Sequence, residues 1–287
     1  MRRLWGTFPL ILVFGCASAG DDPYGTNSTD PPVEKDPYWA SGSPTNEGAS
    51  THLFIVNRAI TILGKHTSLP QASKAFARLN NSTCRTRWQL GLDDADHKVS
   101  YNNWYTWRSH FYDPSTGTNY TGQTSPVAYN EALKHLQTAK TKLAANDVNN
   151  GCYELGLALH YATDMTQPMH AANFAATDRP LDMHSHVEDY AVEIQNGYVA
   201  SDWNTAPTGT VNTALSNLAW AANSKWPGLW NALGNAYIAK CNDDMDDEYF
   251  DTTSCWKGDA GVNAAIGAAL RDAQIDTAKF LYAAAIP

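Results

Sequence analysis

Two histidine–carboxylate pairs, each four residues apart, are the part of this 287-residue sequence best suited to chemistry. They are His160 with Asp164 and His184 with Glu188. Residues four apart share one face of an α-helix, and a carboxylate on an apolar helix is costly unless it is paired or bound to metal. One pair alone would be weak evidence, but His170 lies between the two. Imidazole and carboxylate ligands in this ratio suit zinc, so the set predicts a metal centre.

Pro168 explains how His170 can reach the pocket of the first pair. The proline ring excludes a further helical turn and biases Gln167 toward an extended conformation. We therefore expect the helix that carries His160 to end before Pro168, and the chain to fold back.

Three further candidate ligands lie upstream. His52 opens an apolar segment, while Asp96 and His110 flank a segment dense in aromatic residues. That aromatic segment can equally be explained as a hydrophobic loop core. The residues alone predict a secreted helical metalloprotein with several zinc ions and a hydrolase activity.

Apolar residues recur at helical spacing through much of the chain, which predicts the elements that position these ligands. The predicted helices are 52–63, 127–143, 152–161, 211–220 and 262–282. No run of alternating strand residues and no internal repeat is visible. The sequence predicts an all-α fold, a single multi-helix domain with long loops at 97–125 and 240–260.

The first 38 residues have the pattern of an export leader and a spacer. Residues 1–19 carry a basic start, an apolar middle and small residues at a cleavage site, which is typical of a signal peptide. The alternative is a lipoprotein signal with Cys16 lipidated and the protein anchored to lipid. Residues 20–38 are rich in Asp, Pro, Ser and Thr, as in a pro-segment or linker. The folded domain is predicted at 39–287, in a secreted protein.

Composition limits the function classes. The net charge is −9 and only 17% of residues are charged, so a broad basic face for nucleic acid is not expected. The apolar segment near residues 5–15 is too short to span a bilayer.

Four cysteines follow the leader: Cys84, Cys152, Cys241 and Cys255. An even number in an exported protein suggests disulfides, and three connectivities are possible. The pair Cys241–Cys255 would close a short acidic loop and is favoured. Cys152 lies in an apolar stretch, where a buried free thiol is the alternative.

Taken together, four blocks of this sequence resemble the bacterial zinc-dependent phospholipases C, which include the catalytic domain of the alpha-toxins. The blocks are residues 51–60, 109–114, 160–174 and 184–188. The spacing also matches, with Trp39 thirteen residues before His52 and Asp96 fourteen before His110. The resemblance is dense from Trp39 to Glu188 and weaker afterwards.

The resemblance implies three zinc ions, each with its own set of ligands. The first zinc would take Asp96, His110, His160 and Asp164, and the second would take His170, His184 and Glu188. The third would take His52, Asp164 as a bridge, and the amino group and carbonyl of Trp39. That last role requires cleavage between Tyr38 and Trp39. The resemblance also implies Asp96 as the catalytic general base.

The implied activity is hydrolysis of glycerophospholipids, such as phosphatidylcholine, to diacylglycerol and a phosphorylated head group. The expected partner is a phospholipid membrane surface or lipid aggregate, and the expected state is a monomer. The chain ends at Pro287, so we expect no added β-sandwich domain of the alpha-toxin kind. Trp104 and Tyr105 are candidates for contact with the lipid interface, with plain packing as the alternative.

The sequence departs from the family where choline is recognised. Positions that hold a Glu, a Tyr and a Phe in well-known members hold Gly42, His97 and Trp107 here. Trp107 still offers an aromatic wall for a quaternary ammonium, but the anion is absent. We expect a shifted or broader head-group preference.

Two other functions compete with this interpretation. Certain single-strand nucleases share the trinuclear zinc arrangement, but their early spacing is shorter and their last carboxylate is an Asp, whereas this chain has Glu188. A non-enzymatic zinc-binding or lipid-binding protein is disfavoured because no predicted ligand is missing.

Overall fold

Ten α-helices dominate the residues that the computed structural model describes, which are 42–103, 105–203, 205–242, 245, 250 and 254–287. The helices are α1 (Thr51–Lys65), α2 (Pro70–Asn80), α3 (Ser82–His97), α4 (Ala128–Ala144), α5 (Val148–Asp164), α6 (Pro168–Ala171), α7 (Met183–Ile194), α8 (Val211–Asn223), α9 (Trp226–Ala236) and α10 (Ala260–Ala284). Short 3₁₀ segments occur at Glu47–Ala49, Trp107–His110 and Gln195–Gly197. Within the described ranges there is no strand, and the all-α prediction is confirmed.

The leader, the pro-segment and the expected third-zinc ligand Trp39 lie outside the described residues. The same holds for Cys16 and Trp104. The predicted domain bounds therefore stay a prediction.

Helix α5 lies at the centre of one half of the core because it is apolar nearly all round. Leu155, Leu159 and Ala162 are fully buried, and helices α3 and α4 pack against α5. The last turn of α5 carries His160 and Asp164 into this interior. The central position of α5 is therefore what buries the first predicted ligand pair.

Helices α3 and α5 approach so closely that no side chain fits at the two glycines where they cross. A Cβ atom at Gly91 would lie 2.1 Å from the carbonyl oxygen of Tyr153, and one at Gly156 would lie 2.1 Å from that of Trp88. A disulfide between Cys84 and Cys152 joins the same two helices. The two glycine contacts fix α3 against α5 about one turn before the ligands begin, and the disulfide joins the helices about two to three turns before them.

Helix α1 packs mainly on the long C-terminal helix α10, which also contacts α8 and α9. Ser50 caps the start of α1 by accepting a hydrogen bond from the backbone N–H of Leu53 at 3.2 Å. This cap sets the first turn of α1, where His52 lies.

Two disulfides are present, Cys84–Cys152 and Cys241–Cys255. The favoured pairing of Cys241 with Cys255 is confirmed. The alternative of a free thiol at Cys152 is wrong, because the close crossing of α3 and α5 brings Cys84 beside it.

No helix of the described part of the chain is both long and apolar enough to cross a lipid bilayer.

Candidate metal centre

Eight of the nine predicted ligands come together in three buried groups. In each group, one nitrogen or oxygen atom per residue lies within 4.8 Å of the others. The groups are His52, His160 and Asp164; Asp96, His110 and His160; and His170, His184 and Glu188. All eight side chains are at most 1% exposed.

Five helices and one 3₁₀ turn deliver these side chains. His52 lies in the first turn of α1, Asp96 in the last turn of α3 and His110 at the end of the 3₁₀ turn. The remaining ligands lie on α5, α6 and α7. The predicted break at Pro168 is confirmed, because α5 ends at Asp164, Gln167 is extended and α6 begins at Pro168.

The Asp164 carboxylate lies close to four imidazoles of the site. Its Oδ1 lies 3.5 Å from His52 Nε2 and 3.6 Å from His170 Nδ1. Its Oδ2 lies 2.9 Å from His110 Nδ1 and 3.2 Å from His160 Nε2. The two oxygens of one carboxylate therefore face different imidazoles, which is the arrangement that a bridging ligand needs.

The third group is built around Glu188. Its Oε1 lies 3.3 Å from His170 Nε2 and 3.1 Å from His184 Nε2. His184 and Glu188 share a face of α7, as their spacing predicts.

Backbone carbonyls orient three of the imidazoles from behind. His160 Nδ1 donates to the carbonyl of Leu92 at 2.9 Å, and His170 Nδ1 donates to that of His110 at 3.0 Å. His184 Nδ1 donates to the carbonyl of Phe174 at 2.7 Å. A carbonyl only accepts, so each Nδ1 carries a proton and each Nε2 is the ring nitrogen that faces the pocket.

The Thr163 side chain orients the His52 imidazole in the same way, with its hydroxyl in place of a backbone carbonyl. The Thr163 hydroxyl lies 2.8 Å and 2.9 Å from the carbonyl oxygens of Leu159 and His160, so its proton is directed to them. Its oxygen therefore accepts from His52 Nδ1 at 2.6 Å. This leaves His52 Nε2 as the free ligand atom.

Gln167 joins two elements of the third group. Its Oε1 accepts from the backbone N–H of His170 at 2.9 Å, which caps α6, and its Nε2 donates to Glu188 Oε1 at 3.1 Å. The other Glu188 oxygen, Oε2, remains available.

Several buried ligand atoms have no hydrogen-bond partner among the described residues: His52 Nε2, Asp96 Oδ2, Asp164 Oδ1 and Glu188 Oε2. Leaving such atoms unpaired in a protein interior is costly. Their convergence in sets of imidazole and carboxylate is the donor chemistry of zinc, so the residues present fit a multi-zinc site.

The two central aspartates differ electrostatically. Burial raises the pKa of Asp96 above its ordinary value, and the charge of His160 offsets this only in part. Burial also acts to raise the pKa of Asp164, but His160 and His110 together hold it well below its ordinary value. Burial, reinforced by His160, lowers the pKa of His52, which favours the neutral imidazole that metals bind.

The predicted head-group residues lie outside the three groups. Trp107 is buried at 6% exposure against Phe111, whose ring stacks on His170 at 4.4 Å. His97 is half-exposed, and its hydrogen bond with Asp93 raises the pKa of the imidazole to about 9. At Gly42, a Cβ atom would lie 2.6 Å from the carbonyl oxygen of Ala49.

Comparison with known proteins shows the family of this chain. The family model described as zinc-dependent phospholipase C matches residues 51–225. The chain belongs to this family. A phospholipase C of Bacillus cereus is 32% identical over 247 residues, covering 85% of this chain and 83% of that protein. A phospholipase C of Listeria monocytogenes is 31% identical, covering 85% of this chain and 79% of the relative.

The solved structures agree on the fold. An alpha-toxin from Clostridium absonum superimposes with a TM-score of 0.61 at 22% identity, covering 83% of this chain and 64% of the toxin chain. This zinc-dependent phospholipase C is therefore an all-α hydrolase with lipid substrates, and the nuclease alternative is not favoured.

Sequence reasoning missed the groups that orient the ligands. The carbonyls of Leu92, His110 and Phe174 carry no side-chain signal. Thr163 reads as an ordinary helix residue, and Gln167 was distinctive only as the residue before a proline.

Proposed function

We propose that this enzyme hydrolyses glycerophospholipids such as phosphatidylcholine, releasing diacylglycerol and the phosphorylated head group. The observation that carries the proposal is the set of buried imidazole and carboxylate atoms that converge without hydrogen-bond partners. Such a set suits a phosphodiester anion held by metal cations.

The proposed centre holds three zinc ions. The first is bound by Asp96, His110, His160 and Asp164, and the second by His170, His184 and Glu188. His52, Asp164 and the N-terminal Trp39 bind the third. The position of the Asp164 carboxylate among four imidazoles supports its bridging role. The unpaired Nε2 of His52 supports its role as a ligand of the third zinc.

The N-terminal role of Trp39 imposes a specific demand on maturation. The amino group of Trp39 exists only after cleavage between Tyr38 and Trp39. We therefore place removal of residues 1–38 before full activity, in a secreted protein that acts as a monomer. The two disulfides support an oxidising compartment outside the cytoplasm.

The charge balance of the site supports an anionic substrate. Three Zn²⁺ ions exceed the charge of Asp96, Asp164 and Glu188 by three positive charges, within a chain of net charge −9. When bound, zinc stabilises charge on phosphoryl oxygens and makes water a nucleophile near neutral pH.

Asp96 is the proposed general base. Its Oδ2 is buried and accepts no hydrogen bond from the described residues, so it is free to take a proton from the attacking water. Burial raises the pKa of its carboxyl above the ordinary value, which is the direction that a general base needs.

Head-group preference is proposed to differ from a strict choline preference. Trp107 keeps an aromatic wall, whereas Gly42 supplies no anion and its backbone leaves little room for a side chain. His97, at the position of the Tyr, brings a basic imidazole. Competition among phospholipid head groups tests this, and an undiminished choline preference would contradict it.

The primary test uses protein beginning at Trp39 and phosphatidylcholine vesicles. Release of phosphorylated head group is measured with and without a zinc chelator, with single-stranded DNA as a parallel substrate. Chelator-sensitive lipid hydrolysis is expected. Cleavage of the DNA without lipid turnover would overturn the proposal in favour of a nuclease.

A further inference from the structure

Two apolar side chains stand out on the surface segment that joins two of the predicted zinc ligands. Val99 is 76% exposed and Tyr105 is 72% exposed, which are the two highest values among the large hydrophobic residues described. Both lie on the segment that leads from Asp96 at the end of α3 to His110. The most exposed large apolar side chains of the described residues thus lie on the segment that joins two predicted ligands of one zinc.

The same segment has an unusual charge for this acidic chain. Residues 98–112 contain Lys98 and Arg108 and no Asp or Glu, and the ammonium of Lys98 lies 3.6 Å from Asp94 Oδ2 on the preceding turn. The Arg108 guanidinium lies over the ring of Tyr105 at 4.9 Å. Aromatic rings flanked by basic side chains suit the lipid–water boundary, where cations meet lipid phosphates.

The side chains are presented by local hydrogen bonds. Asn103 Oδ1 accepts from the backbone N–H groups of Tyr105 at 2.8 Å and Thr106 at 3.1 Å. The Asn102 side chain donates to the carbonyl of Asp96. The segment is therefore tied directly to the end of α3, where the metal ligand lies.

The segment is short enough to keep its exposed side chains near the metal ligands at its two ends. Chain geometry places Val99 no more than about 11 Å from Asp96, and Tyr105 no more than about 18 Å from His110. The scissile phosphate of a phospholipid lies in a head-group layer only about 5–8 Å thick. A metal centre that reaches this phosphate brings the surface residues closest to it toward the same layer.

We propose that Val99 and Tyr105, flanked by Lys98 and Arg108, form an interfacial lip that enters the head-group layer of a phospholipid membrane. This inference rests on the proposed phospholipase activity and names the surface through which that activity meets its aggregated substrate. The apolar side chains gain by leaving water, and the cations contact lipid phosphates.

The test compares the double variant Val99→Ser/Tyr105→Ser with a matched control, Trp220→Ser/Ile238→Ser. The control pair is also exposed, at 48% and 65%, but lies on other elements. Co-sedimentation with phosphatidylcholine vesicles is measured, together with hydrolysis of vesicles and of dispersed short-chain phosphatidylcholine. The lip variant should lose vesicle binding by about tenfold, and its ratio of vesicle to short-chain turnover should fall. The control should keep both values.

A second measurement does not depend on loss of function. A fluorophore sensitive to polarity is attached at Tyr105→Cys or, as control, at Ile238→Cys. A blue shift on adding vesicles is expected only at position 105. Equal binding by the lip variant and wild type, equal losses in lip and control variants, or equal shifts at the two labels would overturn the inference. Wild type that binds vesicles but hydrolyses no lipid would instead contradict the proposed function.

Discussion

At the scale of single residues, the metal centre depends on hydrogen bonds that point away from the metal. A histidine presents a lone pair at Nε2 only if its proton stays at Nδ1, and an acceptor behind the ring enforces this. Three rings use backbone carbonyls, which a substitution cannot remove. His52 alone among these four rings uses a side chain, Thr163, so it is the ring whose orientation can be altered by mutation.

Thr163→Val is therefore expected to weaken the proposed zinc at His52 more than the other ions. Valine keeps the shape of threonine but removes the acceptor for Nδ1. The affinity of one zinc should fall about 10–100-fold, measured by chelator competition with metal analysis.

Thr163→Ser is the conservative control and should restore the wild-type affinity. His52→Ala gives the reference for complete loss of that site. If Thr163→Val bound every ion as tightly as wild type, the orienting role of the hydroxyl would be ruled out.

At the scale of elements, the predictable helices are those with a continuous apolar stripe. The five helices predicted from periodicity correspond to α1, α4, α5, α8 and α10, with ends shifted by a few residues. Helices α2, α3 and α9 were not predicted, because α2 buries only small or isolated apolar residues, α3 is rich in charged and polar side chains, and α9 has a proline and a glycine in its first turn. Their burial is decided by partners that a single sequence does not display.

The candidate site was more predictable than the helices around it. Spacing alone paired His160 with Asp164 and His184 with Glu188, because residues four apart share a helix face, and Pro168 accounted for the approach of His170 to the first pair. Linking Asp96 and His110 to them required the family resemblance, since their approach depends on the crossing of α3 and α5.

That crossing makes Gly156 sensitive to the addition of a single methyl group. Gly156→Ala would place a Cβ atom 2.1 Å from the Trp88 carbonyl, so the two helices must separate. We expect a loss of about 1–3 kcal/mol in the free energy of unfolding and weaker zinc binding, measured by denaturation and metal analysis.

Gly228→Ala is the matched control, because it lies in α9 with open space around it. That substitution should be neutral or slightly stabilising. Comparable losses in the two variants would contradict the role assigned to the close crossing.

The two disulfides should differ in their contribution to stability. Cys84–Cys152 spans 68 residues and Cys241–Cys255 spans 14. Because a longer closed loop constrains the unfolded chain more, the paired Cys84→Ala/Cys152→Ala variant should lose more stability, with typical losses of about 2–4 kcal/mol per disulfide. Urea denaturation of the two double variants compares them, and equal or reversed losses would contradict this expectation.

At the scale of the whole molecule, the ligands join parts of the chain that are far apart in sequence. The metal centre connects α1, α3, α5, α6 and α7 through one buried cluster. Zinc that binds only the folded protein stabilises it by mass action. Metal content and global stability are therefore coupled in this enzyme.

Removal of zinc should lower the thermal unfolding temperature, and its return should restore it. Free zinc at one hundred times its dissociation constant stabilises the folded protein by about 2.7 kcal/mol for each independent site. Calorimetry of the metal-depleted and reloaded enzyme measures this, with magnesium as the control ion. An unchanged transition temperature would show that the cluster does not hold metal in the folded state.

Asp164 has a consequence for how the enzyme acquires its metals. One of its oxygens faces His52 and the other faces His110 and His160, so an ion held on one side fixes the carboxylate for the ion on the other. We expect occupancy to be cooperative, with partly filled molecules scarce. Activity would then rise steeply over a narrow range of zinc concentration. The enzyme would switch on above a threshold of zinc, and its activity would not increase in proportion to the zinc present.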